Sequence, residues 1–151
     1  MTGFWILVHV LGYTFWIGGG VATMVAGIVA KRFAPDARLG AYKITSSVQR
    51  ILVGPGAVAV TISGFLLSMP YMKSGSVPGW MMLMMVAGFI GALVAIGVTV
   101  PVAARIGSLE VDPRGELPER FAGLRARLVW SASIGGGMAI VALVAGSLMR
   151  F

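Results

Sequence analysis

Cysteine is absent from the chain, and charged residues make up only 11% of its 151 residues. Without cysteine, neither a disulfide nor a thiolate metal site can form, so the compartment has to be inferred from topology. An ordinary soluble domain contains roughly 25% charged residues. Hydrophobic residues account for 58% of the chain. A soluble protein of this size has no room to bury that much apolar surface.

Acidic residues are scarce, and all five lie outside the long apolar segments: Asp36, Glu110, Asp112, Glu116 and Glu119. The sequence also lacks a Ser/His/acid set, a phosphate-binding glycine loop and a cluster of carboxylates with histidines. Proton and ion transporters usually place charged groups inside the helix bundle. The sequence therefore assigns no catalytic residue and favours a non-enzymatic protein.

Four long apolar segments fill most of the chain: Phe4–Ala30, Ile51–Tyr71, Trp80–Ala104 and Leu128–Met149. Each has about 20 residues or more, the length that crosses a hydrocarbon core of ~30 Å. Because lipid offers no hydrogen-bond partner to the backbone, each segment is predicted to be a helix. The first has no basic leader and is too long for a signal peptide, so we expect it to be retained. The sequence predicts an all-α four-helix transmembrane bundle, with residues 1–151 as one domain.

The basic residues indicate the orientation of these helices. Ten of the 12 Lys and Arg residues lie in the loops 31–50 and 105–127, whereas the middle loop has only Lys73 and the C-terminus only Arg150. The positive-inside rule predicts a bacterial-type inner membrane protein with these two loops in the cytoplasm and both termini in the periplasm. The charge is thus a topology signal, and membrane lipid is the expected partner of the chain. Nucleic acid is not, because it requires a soluble basic face.

Several features predict the helix ends. Residues Ala37–Arg50 are helix formers, so the second helix should begin well before the membrane, with Pro55 kinking it. Residues 111–115 have the composition of a turn. Pro118 suits the first position of a fourth helix that runs to Met149.

Glycine is abundant, at 22 residues, and lies inside the spans. Residues 17–20 of the first span resemble residues 134–137 of the fourth. Because small residues let helix backbones approach closely, we expect the first and fourth helices to pack tightly through these glycine faces. Small residues also recur four apart in three pairs: Gly88/Ala92, Gly135/Ala139 and Ala142/Gly146.

The candidate binding residues lie on the first span. Its polar and small residues follow three- and four-residue steps, so they are predicted to share one inward face: His9, Gly12, Tyr13, Trp16, Gly20, Thr23 and Gly27. We predict His9, Tyr13 and Trp16 as cofactor-binding residues and His9 as the candidate metal ligand. A smaller polar face is formed by Thr61, Gly64 and Ser68 of the second span.

His9 has three interpretations. It is a structural histidine bonded to a hydroxyl on the Thr61 side or to water, an axial haem ligand, or a copper ligand with methionine. Because His9 is the only histidine, a bis-histidine haem requires a dimer or a partner protein. Six methionines near the outer ends of the second and third spans are candidate co-ligands: Met69, Met72, Met81, Met82, Met84 and Met85.

Short motifs along the chain carry a resemblance to a known family. They are His9 with Trp16 and Gly18-Gly19, Pro55-Gly56 with Thr61-Ile62-Ser63-Gly64, Leu117-Pro118-Glu119-Arg120, and Leu148-Met149-Arg150. With these the chain resembles small integral membrane proteins of unknown function related to the copper-resistance D-type membrane proteins. More distantly it is similar to the haem-associated membrane protoporphyrinogen oxidases. The resemblance implies a helical membrane bundle that handles copper or haem b, with His9 as a ligand. The further histidine and lysine positions of the oxidases have no counterpart here.

Two main classes of function remain open from the sequence, and an enzyme comes third because it would require a cofactor or partner to bring the reactive groups. The first is a non-enzymatic membrane subunit or binding protein that supports a larger membrane complex, with protein partners or as a homo-oligomer. The second is a haem- or copper-binding membrane protein that acts in electron transfer or metal handling through His9.

Overall fold

The computed structural model describes residues 2–148, and this part of the chain is entirely helical, without a strand. The elements are α1 (Thr2–Val29), a 3₁₀ turn (Ala30–Arg32), α2 (Pro35–Val48), α3 (Gly54–Lys73), α4 (Gly79–Val94), α5 (Val100–Gly107) and α6 (Arg120–Leu148). They join into four rods that are long and apolar enough to cross a membrane: Thr2–Arg32, Pro35–Lys73, Gly79–Gly107 and Arg120–Ser147. The chain is a multi-pass membrane protein, and the predicted four-helix bundle is confirmed.

The helix ends follow most of the sequence predictions. The second rod begins at Pro35, as its helix formers predicted. Residues 111–115 form a turn in which the Asp112 N–H donates to the Glu116 carbonyl and Gly115 has φ +77°. The prediction that Pro118 opens the fourth helix is wrong by two residues. Pro118 instead ends the preceding loop, and its carbonyl accepts from the Phe121 N–H at 2.8 Å in a turn before α6. The predicted helix end at Met149 lies outside the described residues.

The two middle rods each contain a π-helical segment just before a proline. Residues Gln49–Val53 precede Pro55, and residues Ala95–Thr99 precede Pro101. A proline has no N–H, and its ring crowds the carbonyl four residues earlier. The helix widens by one residue to relieve this crowding. The kink predicted at Pro55 stays a prediction, and the structure has a π segment before this proline with an unanticipated counterpart before Pro101.

The bundle is made of two close helix pairs, α1 with α3 and α4 with α6. In the first pair, a Cβ added to Gly56 would lie 2.8 Å from the carbonyl oxygen of Gly12. In the second pair, a Cβ added to Gly91 would lie 3.1 Å from the carbonyl oxygen of Gly135. At both crossings the two backbones touch, which only glycine permits.

The predicted glycine contact between the first and fourth helices is wrong. An added Cβ at Gly18, Gly20, Gly136 or Gly137 would meet no atom of residues 2–148 within 4 Å, and Gly19 faces Val53 of the second rod. A glycine face allows any helix to approach closely, and the connectivity of the chain decides which helix becomes the neighbour. The first and second rods are joined by two residues, so they become antiparallel neighbours.

Two buried clusters hold the rods together. The first, which we call the membrane core, contains Trp16, Val53, Ala57, Val60, Ala92, Ala95 and Ala139. The second, the basic-end core, contains Ala30, Leu39, Tyr42, Val102, Ile106, Leu109 and Phe121. It lies beside the two basic loops, where Arg38 donates to the carbonyls that end the first rod and Arg125 donates to the Tyr42 hydroxyl at 3.0 Å.

Candidate binding site around His9

The polar stripe of α1 faces the interior of the bundle, as its spacing predicted. Gly12 and Trp16 are buried, and His9 and Tyr13 are half-buried. The same face continues through Gly20, Thr23 and Gly27, all of them half-buried. Exposed apolar residues such as Leu7 and Val10 occupy the opposite side, where lipid surrounds the bundle.

His9 is anchored by a serine of the facing helix. Its Nδ1 lies 2.9 Å from Oγ of Ser63, which is fully buried. The sequence pointed to the Thr61 side of this helix, but the Thr61 hydroxyl donates to the Ala57 carbonyl in its own helix. Ser63 was missed because three hydroxyl residues lie close together on this span, and sequence spacing does not reveal which one faces α1.

The Ser63 hydroxyl fixes the tautomer of His9. A serine has one hydroxyl proton, and Ser63 donates it to the Ala59 carbonyl one turn back. Ser63 therefore accepts from His9, so the proton of the neutral ring is on Nδ1. The other nitrogen, Nε2, keeps its lone pair. In metal sites a ligating histidine is usually oriented in this way by a hydrogen bond from its second nitrogen.

A cavity of about 150 Å³ opens beside His9, between α1, α3 and α4. Most of its surface is apolar, and its polar groups come from His9, Tyr13 and Thr61. The wall opposite α1 is formed by α4, with Met84, Met85, Gly88 and Phe89. An apolar cavity of this size in another protein takes up a molecule such as benzene. The site therefore admits a metal ion or a small molecule.

Only part of the predicted methionine cluster reaches this cavity. Met84 and Met85 line it, whereas Met69, Met72 and Met82 are exposed at the surface of the bundle. Met81 is buried. The sulfur of Met84 lies against α6, 2.9 Å from where a Cβ on Gly146 would be. Both methionines thus line the His9 cavity, and the thioether of Met84 is engaged in helix packing.

The two aromatic candidates occupy different positions. Tyr13 lines the cavity and meets the His9 ring edge to face, with ring centroids 5.2 Å apart. Trp16 stacks on Tyr13 at 6.3 Å and lies in the membrane core, 3% exposed and packed against Gly91. His9 and Tyr13 therefore meet at the cavity, with Trp16 behind Tyr13. Their roles in cofactor binding stay predictions.

The cavity discriminates between the predicted cofactors by size. Pockets that enclose a drug-sized ligand occupy about 300–1,000 Å³. At about 150 Å³, the space beside His9 is smaller than the pockets that enclose such ligands, and a porphyrin is larger than this space. Within residues 2–148 no three His, Asp or Glu side chains form a metal-binding group, so a carboxylate-rich metal site does not fit either. A soft ion held by imidazole and thioether groups does fit the residues present.

A second polar contact inside the bundle was not anticipated. Gln49, in the first π segment, is 3% exposed, and its Nε2 donates to the Thr23 hydroxyl at 2.9 Å. Thr23 in turn donates to the Gly20 carbonyl. The Oε1 atom of Gln49 has no partner in the part of the chain that the structure describes. Gln49 thus ties the second rod to α1 and leaves one buried acceptor.

No family model, curated protein or solved structure matches this chain. The likeness to the copper-resistance D-type membrane proteins therefore stays a prediction. Evidence for a function comes from the residues around His9 and from the membrane fold that positions them.

Proposed function

We propose that this chain is a non-enzymatic inner-membrane protein that binds a soft metal ion, Cu(I), in the His9 cavity and takes part in metal handling. One observation carries the proposal. Nδ1 of His9 lies 2.9 Å from the Ser63 hydroxyl, which itself donates to the Ala59 carbonyl, and we infer that Nε2 is left as a lone-pair donor in a residue that lines a cavity with two methionines.

The donor set matches the preference of the ion. Cu(I) favours soft thioether sulfur and also accepts imidazole nitrogen. His9 would supply Nε2, Met85 would supply one sulfur, and Met84 would supply a second after its flexible side chain turns away from Gly146. Tyr13 and Phe89 would screen the ion from lipid and solvent.

Metal analysis and optical spectroscopy of the protein purified from its native membrane test the proposal. We expect up to one copper per chain and no Soret band. After anaerobic reconstitution with Cu(I), His9→Ala should lose the ion, and Met85→Leu should bind it more weakly against a competing chelator. Met82→Leu, on the exposed side of the same helix, is the matched control and should bind as the native chain does. Equal binding by His9→Ala and the native chain, both folded, would refute the proposal.

Haem b is the alternative cofactor for this site, and the same optical spectrum would reveal it. Because the cavity is too small to enclose it, a haem would have to lie on the open side of the bundle, with His9 as one axial ligand and a methionine or a group of another subunit as the second. A Soret band that is lost in His9→Ala would replace the copper proposal with this one.

A subunit role is the second candidate function. It is favoured by Gly136 and Gly137 of α6, where an added Cβ would meet no atom of residues 2–148 within 4 Å. Small residues on the outside of a transmembrane helix permit close approach of another helix. Gentle solubilisation from native membranes followed by size and composition analysis tests this role. A strict monomer without a co-purifying protein would exclude it.

The proposed orientation places the two basic loops in the cytoplasm. Since the chain has no cysteine, single cysteines can be introduced without background. Ser76→Cys, in the middle loop, should react with a membrane-impermeant maleimide applied from the periplasmic side. Ser108→Cys, in a basic loop, should react only after the membrane is opened. The reverse pattern would invert the orientation.

A further inference from the structure

A second and larger concavity lies on the outside of the bundle, facing lipid. It is a groove of about 480 Å³ between the third rod and α6, and it is separate from the His9 cavity. Its apolar part includes Gly97, Val98, Pro101 and Ile134. At one end stand two arginines, Arg105 and Arg127. The groove is therefore apolar along its length and doubly positive at its end.

The second π segment forms the wall of this groove. Gly97 lies in the middle of Ala95–Thr99, and an added Cβ there would meet no atom of residues 2–148 within 4 Å. Pro101 follows this segment after one residue, Val100, and cannot donate a backbone hydrogen bond. The absence of a side chain at Gly97 leaves a channel open along the helix surface. A leucine at this position would fill it.

In the described part of the chain, the guanidinium groups of these two arginines have no protein partner. Both side chains are exposed, and within residues 2–148 neither guanidinium group makes a hydrogen bond or an ion pair; the Arg105 carbonyl accepts from the Ser108 hydroxyl. Arg38 and Arg125, at the same end of the molecule, are instead bonded to backbone carbonyls and to Tyr42. The groove thus ends in two guanidinium groups whose hydrogen-bond donors are available to a ligand.

Helix length places these arginines at a membrane surface. Arg127 is 20 residues before Ser147, and Arg105 is 26 residues after Gly79. At a rise of ~1.5 Å per residue, each lies roughly 30–40 Å from the opposite end of its rod. That distance matches the span from the far interface to the headgroup layer of the near leaflet. Trp130, beside the groove and 72% exposed, has the amphipathic ring typical of this level.

We propose that the groove binds one anionic phospholipid from the leaflet at the basic end. Arg105 and Arg127 hold its phosphate through charge-assisted hydrogen bonds, and one acyl chain runs along the channel at Gly97. Basic pockets between transmembrane helices recur as sites for anionic lipid headgroups. Charge complementarity with two exposed arginines that are unpaired within residues 2–148 favours an anionic lipid over a zwitterionic one. An apolar channel continuous with the charged end favours a lipid over a free phosphate.

Native mass spectrometry of the purified full chain tests this proposal. The protein is delipidated in mild detergent and then offered phosphatidylglycerol and phosphatidylcholine at equal concentration. We expect one phosphatidylglycerol per chain, retained in preference to phosphatidylcholine. Inorganic phosphate at millimolar concentration should not displace it. Displacement by phosphate, or equal retention of the two lipids, would overturn the proposal.

Matched variants separate the site from the general charge of the basic end. The double change Arg105→Gln with Arg127→Gln should weaken phosphatidylglycerol retention about thirtyfold. The double change Arg50→Gln with Arg120→Gln removes the same charge from exposed arginines outside the groove and should leave retention unchanged. An equal loss in both double variants would reduce the effect to nonspecific electrostatics and refute the site.

A third variant fills the channel without touching its charges. Gly97→Leu should lower phosphatidylglycerol retention, whereas Gly18→Leu, an open and exposed glycine on α1, should not. Thermal unfolding of each variant establishes that it is folded. Full retention by folded Gly97→Leu would overturn the assignment of the channel to an acyl chain.

Discussion

The two cores of the bundle are built from side chains of different size. Four of the seven residues in the membrane core are alanine, and glycines at the helix crossings bring the backbones into contact. The basic-end core uses Leu39, Tyr42, Ile106, Leu109 and Phe121 and contains one alanine. The same four rods therefore pack closely through small residues at one level and interlock through large ones at another.

The difference follows from the solvent at each level. Inside the bilayer, lipid tails are as apolar as leucine, so burying a large side chain gains little and close backbone contact gains dispersion energy. Beside the basic loops the surrounding solvent is water, so burial of large apolar side chains is favourable. Adding atoms should therefore damage the membrane core, and removing atoms should damage the basic-end core.

The largest expected effect comes from removing atoms at the basic end. Ile106 is 1% exposed, and Ile106→Ala should lower the free energy of unfolding by about 2–5 kcal/mol, because it leaves a cavity among large neighbours. Unfolding in mild detergent by titration with a denaturing detergent measures the change. Ile44→Ala, at a position 69% exposed in the same region, should stay within about 0.5 kcal/mol. Equal losses at both sites would mean that this end has no packed core.

Adding one methyl group should damage the membrane core. Gly56→Ala places a Cβ 2.8 Å from the Gly12 carbonyl oxygen, so α1 and α3 must separate. We expect a loss of about 1–3 kcal/mol in the same unfolding measurement. Gly137→Ala faces open space and should gain up to about 1 kcal/mol from helix propensity. A stabilised Gly56→Ala would show that the helices do not touch at this crossing.

The polar contact at the basic end should have a smaller effect. Tyr42→Phe removes the acceptor of Arg125, a contact between the second rod and α6. Because water can reach the half-buried guanidinium, the expected loss is about 1 kcal/mol. Tyr71→Phe, at an exposed position, is the control and should leave the free energy of unfolding unchanged.

The smallest effect on stability is expected inside the membrane. Ser63→Ala removes the hydroxyl that anchors His9, and interhelical hydrogen bonds in bilayers contribute about 0.6 kcal/mol on average. The same change should lower Cu(I) affinity about 10–100-fold, because the tautomer and orientation of His9 are no longer held. Ser133→Ala, exposed on α6, should alter neither quantity. A large loss of stability with unchanged Cu(I) affinity would make the His9–Ser63 pair structural.

Sequence reasoning was most successful for features that depend on one helix at a time. Length and hydrophobicity located the four spans, and helical spacing located the inward stripe from His9 to Gly27. It was less successful where two helices had to be matched. Gly12 with Gly56 and Gly91 with Gly135 form the crossings, whereas the glycine runs at 18–20 and 135–137 had predicted that α1 packs against α6. A stripe of small residues specifies that a helix can be approached, but not by which neighbour.

The candidate site shows the same division. His9 could be selected from the sequence because it is the single imidazole of the chain and lies within a span. Ser63, Met84 and Met85 could be recognised as its neighbours only after the helices were packed, because each had equivalent candidates one or two residues away. Likewise, the sequence does not distinguish Arg105 and Arg127 from the other eight basic loop residues, and only the fold shows that both lie at one groove.

The sequence by itself determined that the chain is a helical membrane protein with four spans and a basic end, because a bilayer imposes length, hydrophobicity and charge asymmetry on any chain that crosses it. The tertiary structure alone decided which helices touch, which hydroxyl orients His9, and where the His9 cavity and the outer groove open. Those outcomes depend on the rotation and pairing of each rod, and the π segments before Pro55 and Pro101 shift that rotation by an amount that no residue pattern specifies.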